Sequence, residues 1–286
     1  MTRRTPTERL VLFARENARD AVRERQAHVL VVFFALLGGI VAYNAGRLDP
    51  ARQATATPGL SGQLFGLFSI LIPLVSLGLV APSLVEKRTS GALTVLLGLP
   101  FSRGTVVVGT LLGQCLVLGA ATLSALLVAL GVGLVMGAPM DPLGMIGIAI
   151  ALLVLAVTFA AFAVAISASV RTSTRATVAA LVVFVVFVLH AWGHLPGYLL
   201  YLSNGFAYPA TTPTWVEFVR SLNPMTAFNN AGLGIFPDLF SVTAGSRPAN
   251  PAFFEAPAFA SVVLLAWIVG AVWVGYHRFR SSDLLY

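Results

Sequence analysis

Residues 143–170 read LGMIGIAIALLVLAVTFAAFAVAISASV and contain no charged side chain. As an α-helix this stretch would be about 42 Å long, whereas the hydrocarbon core of a bilayer is about 30 Å thick. A helix that is apolar on every side must lie in a membrane or deep inside a large core. The stretch therefore predicts a membrane-spanning helix, and the rest of the chain is interpreted around it.

Five further apolar runs are long enough to cross a bilayer, at about 28–45, 64–85, 105–136, 176–195 and 259–276. Only 10% of the 286 residues are charged, compared with about 25% in soluble domains. No segment is polar enough to form a separate soluble domain. We therefore predict an all-α integral membrane protein in which residues 1–286 form one domain, a bundle of six transmembrane helices.

The basic residues predict the orientation of the bundle. Of the 18 lysines and arginines, 14 fall before the first span, at 86–104, at 171–175 and after the last span. Positive residues accumulate on the cytoplasmic side of membrane proteins, so both termini should be cytoplasmic in a multi-pass protein of the plasma membrane. Topology and lipid headgroups account for the net charge of +7, and no basic domain suggests binding of nucleic acid.

Two segments outside the spans are also expected to contain helices. Residues 1–27 include an amphipathic pattern typical of a helix at the cytoplasmic membrane surface, the alternative being a solvated arm. Residues 196–258 form the long extracytoplasmic loop, in which 213–222 predict a short amphipathic helix with Glu217 and Arg220 on its polar face. The aromatic residues of this loop favour a re-entrant or interfacial segment before the last span over a disordered loop.

The sequence offers little for chemistry. A phosphate-binding loop G-x-x-x-x-G-K-[ST] cannot occur, because the single lysine, Lys87, is followed by arginine. His190 and His194 are four residues apart, which would place them on one helix face, but no glutamate completes a zinc motif. The only cysteine, Cys115, lies within an apolar run. We expect no catalytic, cofactor-binding or metal site in this chain.

Residues 86–103, EKRTSGALTVLLGLPFSR, form the most informative polar segment. Thr89 or Ser90 can cap a short helix, and Gly98 with Pro100 ends it. Its apolar face would consist of three leucines at helical spacing, Leu93, Leu96 and Leu97. Such a helix between two spans could bind the membrane surface or a cytoplasmic partner. The alternative is a helix that connects the two spans and binds nothing.

This segment, followed by GTLLG at 109–113, resembles the intracellular segment of type-2 ABC transporter permeases. The run LNPMTAF at 222–228 resembles the Asn-Pro segment that those permeases carry before their last helix. With six helices, the chain is most similar to the compact NosY-like branch of that family. The resemblance covers essentially the whole chain.

The resemblance implies a permease subunit of an exporter, without enzymatic activity, that pairs as a homodimer with a separate ATPase subunit. That partner would bind ATP and Mg, and this chain would bind no cofactor. Residues 86–104 would be a coupling helix docked on the ATPase. The implied coupling residues are Glu86, Gly91, Leu93, Leu96, Leu97, Pro100, Ser102 and Arg103, and the loop motif is Asn223 with Pro224.

Two other functional classes stay open at this point. A secondary transporter or channel should show ionisable residues inside the spans, and the spans contain almost none. A membrane enzyme would need a catalytic constellation at depth, whereas a membrane-anchored assembly protein would need none. The apolar, small-residue-rich spans are compatible with lipidic, drug-like or peptide cargo, and equally with a partner that handles sulfur or copper.

Overall fold

The computed structural model describes residues 25–47, 59–83, 85–86, 103–138, 141–209, 211–244 and 252–280, and every regular element within these ranges is helical. The first four helices are α1 (Arg25–Gly46), α2 (Leu60–Val80), α3 (Arg103–Met136) and α4 (Pro142–Ser169). Then follow α5 (Ser173–Val183) with a π-helical turn (Phe184–Val188), α6 (Ala191–Ser203), α7 (Thr214–Ser221), α8 (Pro224–Leu233), α9 (Pro237–Ala244), a 3₁₀ turn (Phe253–Glu255) and α10 (Pro257–Arg280).

The prediction of an all-α membrane bundle is confirmed. Among the described residues, α1, α2, α3, α4 and α10 are each long and apolar enough to cross a bilayer. A sixth span is formed if α5, its π turn and α6 are taken together, but the two parts are bent by 68°. The sequence predicts this span as one continuous helix over 176–195, whereas the structure divides it between Val188 and Ala191.

Helix α4 lies at the centre of the bundle and packs against α2, α3 and α10. The second half of α4 is buried on every side, Phe159 and Ala163 among its residues, as expected of an uncharged helix surrounded by others, whereas Ile146, Ile150 and Val154 form an exposed apolar stripe on its first half. Asp141 caps its first turn, accepting hydrogen bonds from the backbone N–H groups of Leu143 at 3.0 Å and of the next residue at 2.9 Å.

Helix α1 packs along α3, and the two run in the same direction. Gly38 lies against the backbone carbonyl of Ala125, where a Cβ atom would overlap it, and further along Gly46 lies against Met136. Such contacts between backbones require a residue without a side chain. Since both pairs advance together toward the C-terminal ends, α1 and α3 begin at the same end of the bundle.

Two aromatic contacts show that α2 and α4 also run parallel to each other. Phe236 lies against Gly147, near the start of α4. The ring of Phe240, four residues later, is 4.7 Å from that of Phe65, near the start of α2. Both helices therefore start beside the segment 236–240 and end on the far side of the bundle.

The ends of α4 and α10 meet the start of α3. Gly275 in α10 packs on the Cα atom of Ala165 in α4, and Gly104 in α3 lines a groove together with Tyr276. We call this side, where α1 and α3 begin and α2, α4 and α10 end, the basic end. Of the basic residues in the described ranges, all but Arg47 and Arg220 lie there: Arg25, Arg103, Arg171, Arg175, Arg278 and Arg280.

The chain between the fifth span and α10 is folded against the bundle. The predicted amphipathic helix over 213–222 is confirmed as α7, in which Arg220 and Glu217 form an ion pair of 2.7 Å. Helix α8 is mostly buried and packs along α10, and α9 packs on α2. Gly232 permits this fold, because a Cβ atom there would overlap the ring of Phe240.

Candidate functional site

The two ends of the predicted coupling segment lie at the basic end of the bundle. Glu86 is exposed and lies just beyond the end of α2, where its backbone N–H donates to the Pro82 carbonyl at 2.9 Å. Arg103 is the first residue of α3. Because α2 ends and α3 begins on this side, Glu86 and Arg103 lie at the same end of the bundle.

The other predicted coupling residues lie outside the described part of the chain. They are Gly91, Leu93, Leu96, Leu97, Pro100 and Ser102. The amphipathic N-terminal helix predicted within residues 1–27 also falls largely outside it. The coupling helix and its apolar face therefore stay predictions from the sequence.

The predicted Asn-Pro motif lies inside the bundle, at the start of α8. Asn223 is 1% exposed, and its side-chain oxygen accepts hydrogen bonds from the backbone N–H groups of Met225 at 2.7 Å and Thr226 at 3.3 Å. Pro224 occupies the first helical position, where a missing N–H costs nothing. The motif is thus a strong helix start placed at a buried position.

The amide of Asn223 also connects α8 to the break in the fifth span. Its Nδ2 donates to the backbone carbonyl of Phe187 at 3.2 Å. Phe187 belongs to the π turn that ends α5, where Leu189 N–H donates to the Phe184 carbonyl instead of continuing the α-helical pattern. A π turn and a break leave carbonyls without their usual helical donors. Asn223 supplies one of these donors from 36 residues away.

Three further side chains bind backbone carbonyls close to the break. Trp192, in the first turn of α6, donates to the Val219 carbonyl at 2.8 Å. Arg220 donates in the opposite direction, from Nε to the Gly193 carbonyl at 2.9 Å. From α10, the indole of Trp267 donates to the Leu222 carbonyl at 2.8 Å. We refer to Phe187, Trp192, Arg220, Asn223 and Trp267 as the Asn223 junction.

Aromatic rings pack around the junction. Phe187 is stacked on Phe162 of α4 at 5.6 Å and meets Trp267 edge to face at 5.2 Å. Trp192 lies 5.8 Å from Phe187 on its other side. Aromatic pairs favour stacked and edge-to-face geometries. The π turn is therefore held both by hydrogen bonds and by ring contacts from three different helices.

An apolar groove of about 590 Å³ extends from the junction toward the basic end. It lies between α4, α5 and α10, with Phe162 and Trp267 at the junction and Val170 and Trp273 toward the basic end. Trp267 of the junction and Phe162, which is stacked on Phe187, therefore also form part of the groove wall. A displacement of the π turn would change the shape of this groove.

The expected arrangement of the two histidines is wrong. His190 does not share a helix face with His194, because it precedes α6 with a left-handed backbone, φ 59°. Residues other than glycine rarely adopt this conformation, which costs about 1–2 kcal/mol. The two histidines thus mark the break rather than a site, and no metal-binding group of His, Cys, Asp and Glu occurs among the described residues.

The arrangement suits a mechanical role rather than a chemical one. Three side-chain to backbone bonds connect the two halves of the broken helix to α7 and to the start of α8, and Trp267 of α10 binds the Leu222 carbonyl between α7 and α8. Motion of α5 would therefore be transmitted to α7 and α8. The motif in the sequence identified Asn223 and Pro224 but not the roles of Trp192 and Trp267. The pairs Trp192-Gly193 and Pro196-Gly197, which follow Leu189, were the available signal for a break near Trp192.

Comparison with known proteins agrees with this architecture. The family described as "ABC-2 family transporter protein" matches residues 12–284. The chain is 30% identical over 274 residues to a "Probable ABC transporter permease protein NosY" from Stutzerimonas stutzeri, covering 93% of this chain and 96% of that protein. It is 29% identical over 272 residues to the protein of the same name from Pseudomonas aeruginosa, covering 92% of each.

The match extends from the residues before the first span to those after the last, and so includes both the 86–103 segment and the Asn223 junction. It agrees with the resemblance found in those two stretches of sequence. The chain belongs to the ABC-2 family of transporter proteins and is an ABC transporter membrane subunit of the NosY-like kind.

Proposed function

We propose that this chain is the permease of an ABC exporter, driven by a separate cytoplasmic ATPase that docks on residues 86–103. The observation that carries the proposal is the position of the two ends of this segment, Glu86 after α2 and Arg103 at the start of α3, which both lie at the basic end. Its leucines 93, 96 and 97 would form the apolar contact with the ATPase, bracketed by Glu86 and Arg103. ATP and Mg would be bound by that partner, and this chain would catalyse no reaction itself.

The absence of a phosphate-binding loop from the sequence supports this division of labour. A transporter of this family needs ATP, yet the single lysine of the chain is not in a nucleotide-binding pattern. The energy must therefore enter through a contact with another subunit. We further propose that two copies of the permease assemble with two copies of the ATPase, so that closure of the ATPase pair acts on both coupling segments together.

The orientation we propose puts the basic end, and with it both termini, in the cytoplasm. It is supported by the collection of arginines from four helix ends and the α4–α5 connection at that end. A reporter fused after Tyr286 should be active only in the cytoplasm, and one inserted near Gly245 only outside. The opposite pattern would reverse the orientation and remove the coupling segment from reach of ATP.

We propose that the Asn223 junction is the element that moves with the transport cycle. A push on α2 and α3 at the basic end reaches α4 through their packing, and α4 contacts the π turn through Phe162. The junction then passes this motion to α6, α7 and α8.

The direct test is assembly with the ATPase. The two proteins are co-expressed, and the membrane-bound fraction of the ATPase is measured with and without this chain. The permease alone should hydrolyse no ATP, and the ATPase should become membrane-bound only when the permease is present. ATPase recovery at the membrane without the permease, or ATP hydrolysis by the purified permease, would contradict the proposal.

A further inference from the structure

We propose that α6 and the turn after it form a lipid-binding hairpin, residues 191–209, that lies in the outer-leaflet interface of the bilayer. The occupant of its exposed face is the phospholipid surface itself, at the boundary between headgroups and acyl chains. This assignment goes beyond transport by the permease. It uses the proposed orientation only to say which leaflet is contacted.

The first observation is the distribution of side chains around α6. Small residues and a proline lie on the protein side: Pro196 is buried, and Gly197 is half-buried against Arg220 of α7. The large residues point away from the protein at positions that share one helix face, and each is more than half exposed: Leu195, Tyr198, Leu199 and Leu202. In water the exposed face of a helix is polar, so this inverted pattern fits an apolar surrounding.

The second observation is the absence of formal charge. Between Arg175 and Glu217 the sequence contains no Asp, Glu, Lys or Arg. The polar groups of the hairpin are those of Tyr, Trp, His, Ser and Asn, which are tolerated at the membrane interface, and Tyr and Trp are enriched there. An exposed hairpin in water, or a docking surface for a soluble protein, would be expected to carry charge at its rim.

The third observation is the geometry of the break. From Ser173 to the end of the π turn the fifth span has 16 residues, or about 24 Å of helix, which is shorter than the roughly 30 Å hydrocarbon core. The chain therefore turns before it has left the bilayer. Spans tilt by about 20° on average, so a helix bent by 68° from one lies closer to the membrane plane than to its normal.

The tip of the hairpin presents further aromatic rings. Gly205 and Phe206 both have a left-handed backbone, with φ of 66° and 63°, and Asn204 closes the turn by donating to the Ala207 carbonyl at 3.1 Å. The strained conformation leaves Phe206 68% exposed. Tyr208 is equally exposed and packs 5.0 Å from Tyr201. Strain that exposes an apolar ring is explained if the ring enters the membrane.

The fixed base of the hairpin makes lipid a better occupant than a mobile protein partner. Trp192 and Arg220 hold the first turn of α6 to α7, so the exposed face has one orientation relative to the bundle. The fifth span also exposes large apolar side chains before the break: Leu181 in α5, Val185 in the π turn and Leu189 directly after it. An exposed apolar surface that follows directly on a span, at a depth below the headgroups, is covered by lipid.

Collision accessibility of a spin label tests the proposal. The single cysteine is removed by Cys115→Ser, and Leu199→Cys is introduced, labelled and reconstituted as the full chain in phosphatidylcholine vesicles. Three matched sites calibrate the signal: Leu265→Cys on the exposed side of α10, Leu200→Cys on the protein side of α6, and Arg47→Cys at the end of α1. Collisions are measured with oxygen, which enters lipid, and with a water-soluble nickel complex.

We expect the label at 199 to collide severalfold more with oxygen than with nickel, as at 265, and the ratio to stay unchanged when phosphatidylglycerol replaces part of the phosphatidylcholine. A ratio like that at 47 would show a water-exposed hairpin and overturn the proposal. Low collision with both reagents, as at 200, would show coverage by a second copy or another protein and would also overturn it. Tyr198→Cys repeats the measurement if the first variant does not fold. Neither result bears on ATPase docking.

Discussion

Removing the side chain of Asn223 should destabilise the permease more than any other single polar truncation in the Asn223 junction. Asn223→Ala removes two hydrogen bonds to the first turn of α8 and one to the Phe187 carbonyl. Loss of a helix N-cap costs about 1 kcal/mol, with a range of about 0.5–2. A buried carbonyl that loses its donor costs about a further 1–3 kcal/mol. The expected loss is about 2–4 kcal/mol, because the site is closed to water.

Two matched variants separate these contributions. Asn223→Asp keeps the acceptor for the backbone N–H groups but cannot donate to Phe187, so it reports the connection to the π turn. Asn204→Ala removes an exposed asparagine whose side chain donates to the Ala207 carbonyl. Exposed changes of this kind are usually within about 0.5 kcal/mol.

The assay is reversible unfolding of the purified permease by SDS in mixed micelles, with transport measured in parallel on vesicles that contain the ATPase. Asn223→Ala should unfold at lower SDS and lose transport, while Asn204→Ala should resemble the wild type in both. If Asn223→Ala and Asn204→Ala had the same free energy of unfolding, the junction would not hold the broken span. A fully active Asn223→Asp variant would show that the contact with Phe187 is dispensable for transport.

Two further substitutions test the packing described above. Trp267→Phe keeps an aromatic ring but loses the hydrogen bond to the Leu222 carbonyl, and should lower the free energy of unfolding by about 0.5–1.5 kcal/mol in the same SDS assay. Its control, Trp273→Phe, changes an exposed position of the same helix and should be close to neutral. Equal effects of the two substitutions would count against the hydrogen bond. Gly232→Ala should lower the free energy of unfolding by about 1–3 kcal/mol, because the added methyl group would overlap the ring of Phe240. Its control, Gly270→Ala, has open space around it and should be neutral or slightly stabilising. A neutral Gly232→Ala would contradict the close approach of α8 and α9.

The spans could be predicted from the sequence because burial in a membrane leaves a local signal. A run such as 143–170 has no charge over the length of a bilayer, and no neighbour is needed to interpret it. The helix over 213–222 was predictable for a similar reason, since Glu217 and Arg220 lie one turn apart in an otherwise apolar stretch. Charge and hydropathy therefore gave both the bundle and the presence of a structured segment before the last span.

The break in the fifth span could not be predicted in the same way. Residues 176–189 are uniformly apolar, and hydropathy does not report which backbone carbonyls lack a helical donor. The donor that stabilises the π turn is on Asn223, 36 residues later, and only the folded chain brings it there. The close approach at Gly38 was missed for a related reason, because its partner is a carbonyl of α3 rather than another glycine.

The motif therefore identified only part of the site, Asn223 and Pro224. The sequence shows a helix start, and the structure adds what the side chain does beyond its own helix. Trp267 is similar: as one aromatic residue in an apolar span it gives no signal by itself, and its role depends on the Leu222 carbonyl 45 residues earlier in the chain.

The most direct test of the central claim is recovery of the ATPase subunit by the tagged permease from detergent-solubilised membranes. Leu96→Asp with Leu97→Asp would place two charges in the predicted apolar contact, and a mismatched charge in a desolvated interface costs about 3–5 kcal/mol, or about 100- to 4,000-fold in affinity. Val95→Asp is the control, because it falls on the opposite face of the predicted helix. We predict loss of the ATPase with the double variant and retention with the control, at equal expression and insertion. Equal recovery with the wild type and the double variant would contradict docking through this segment.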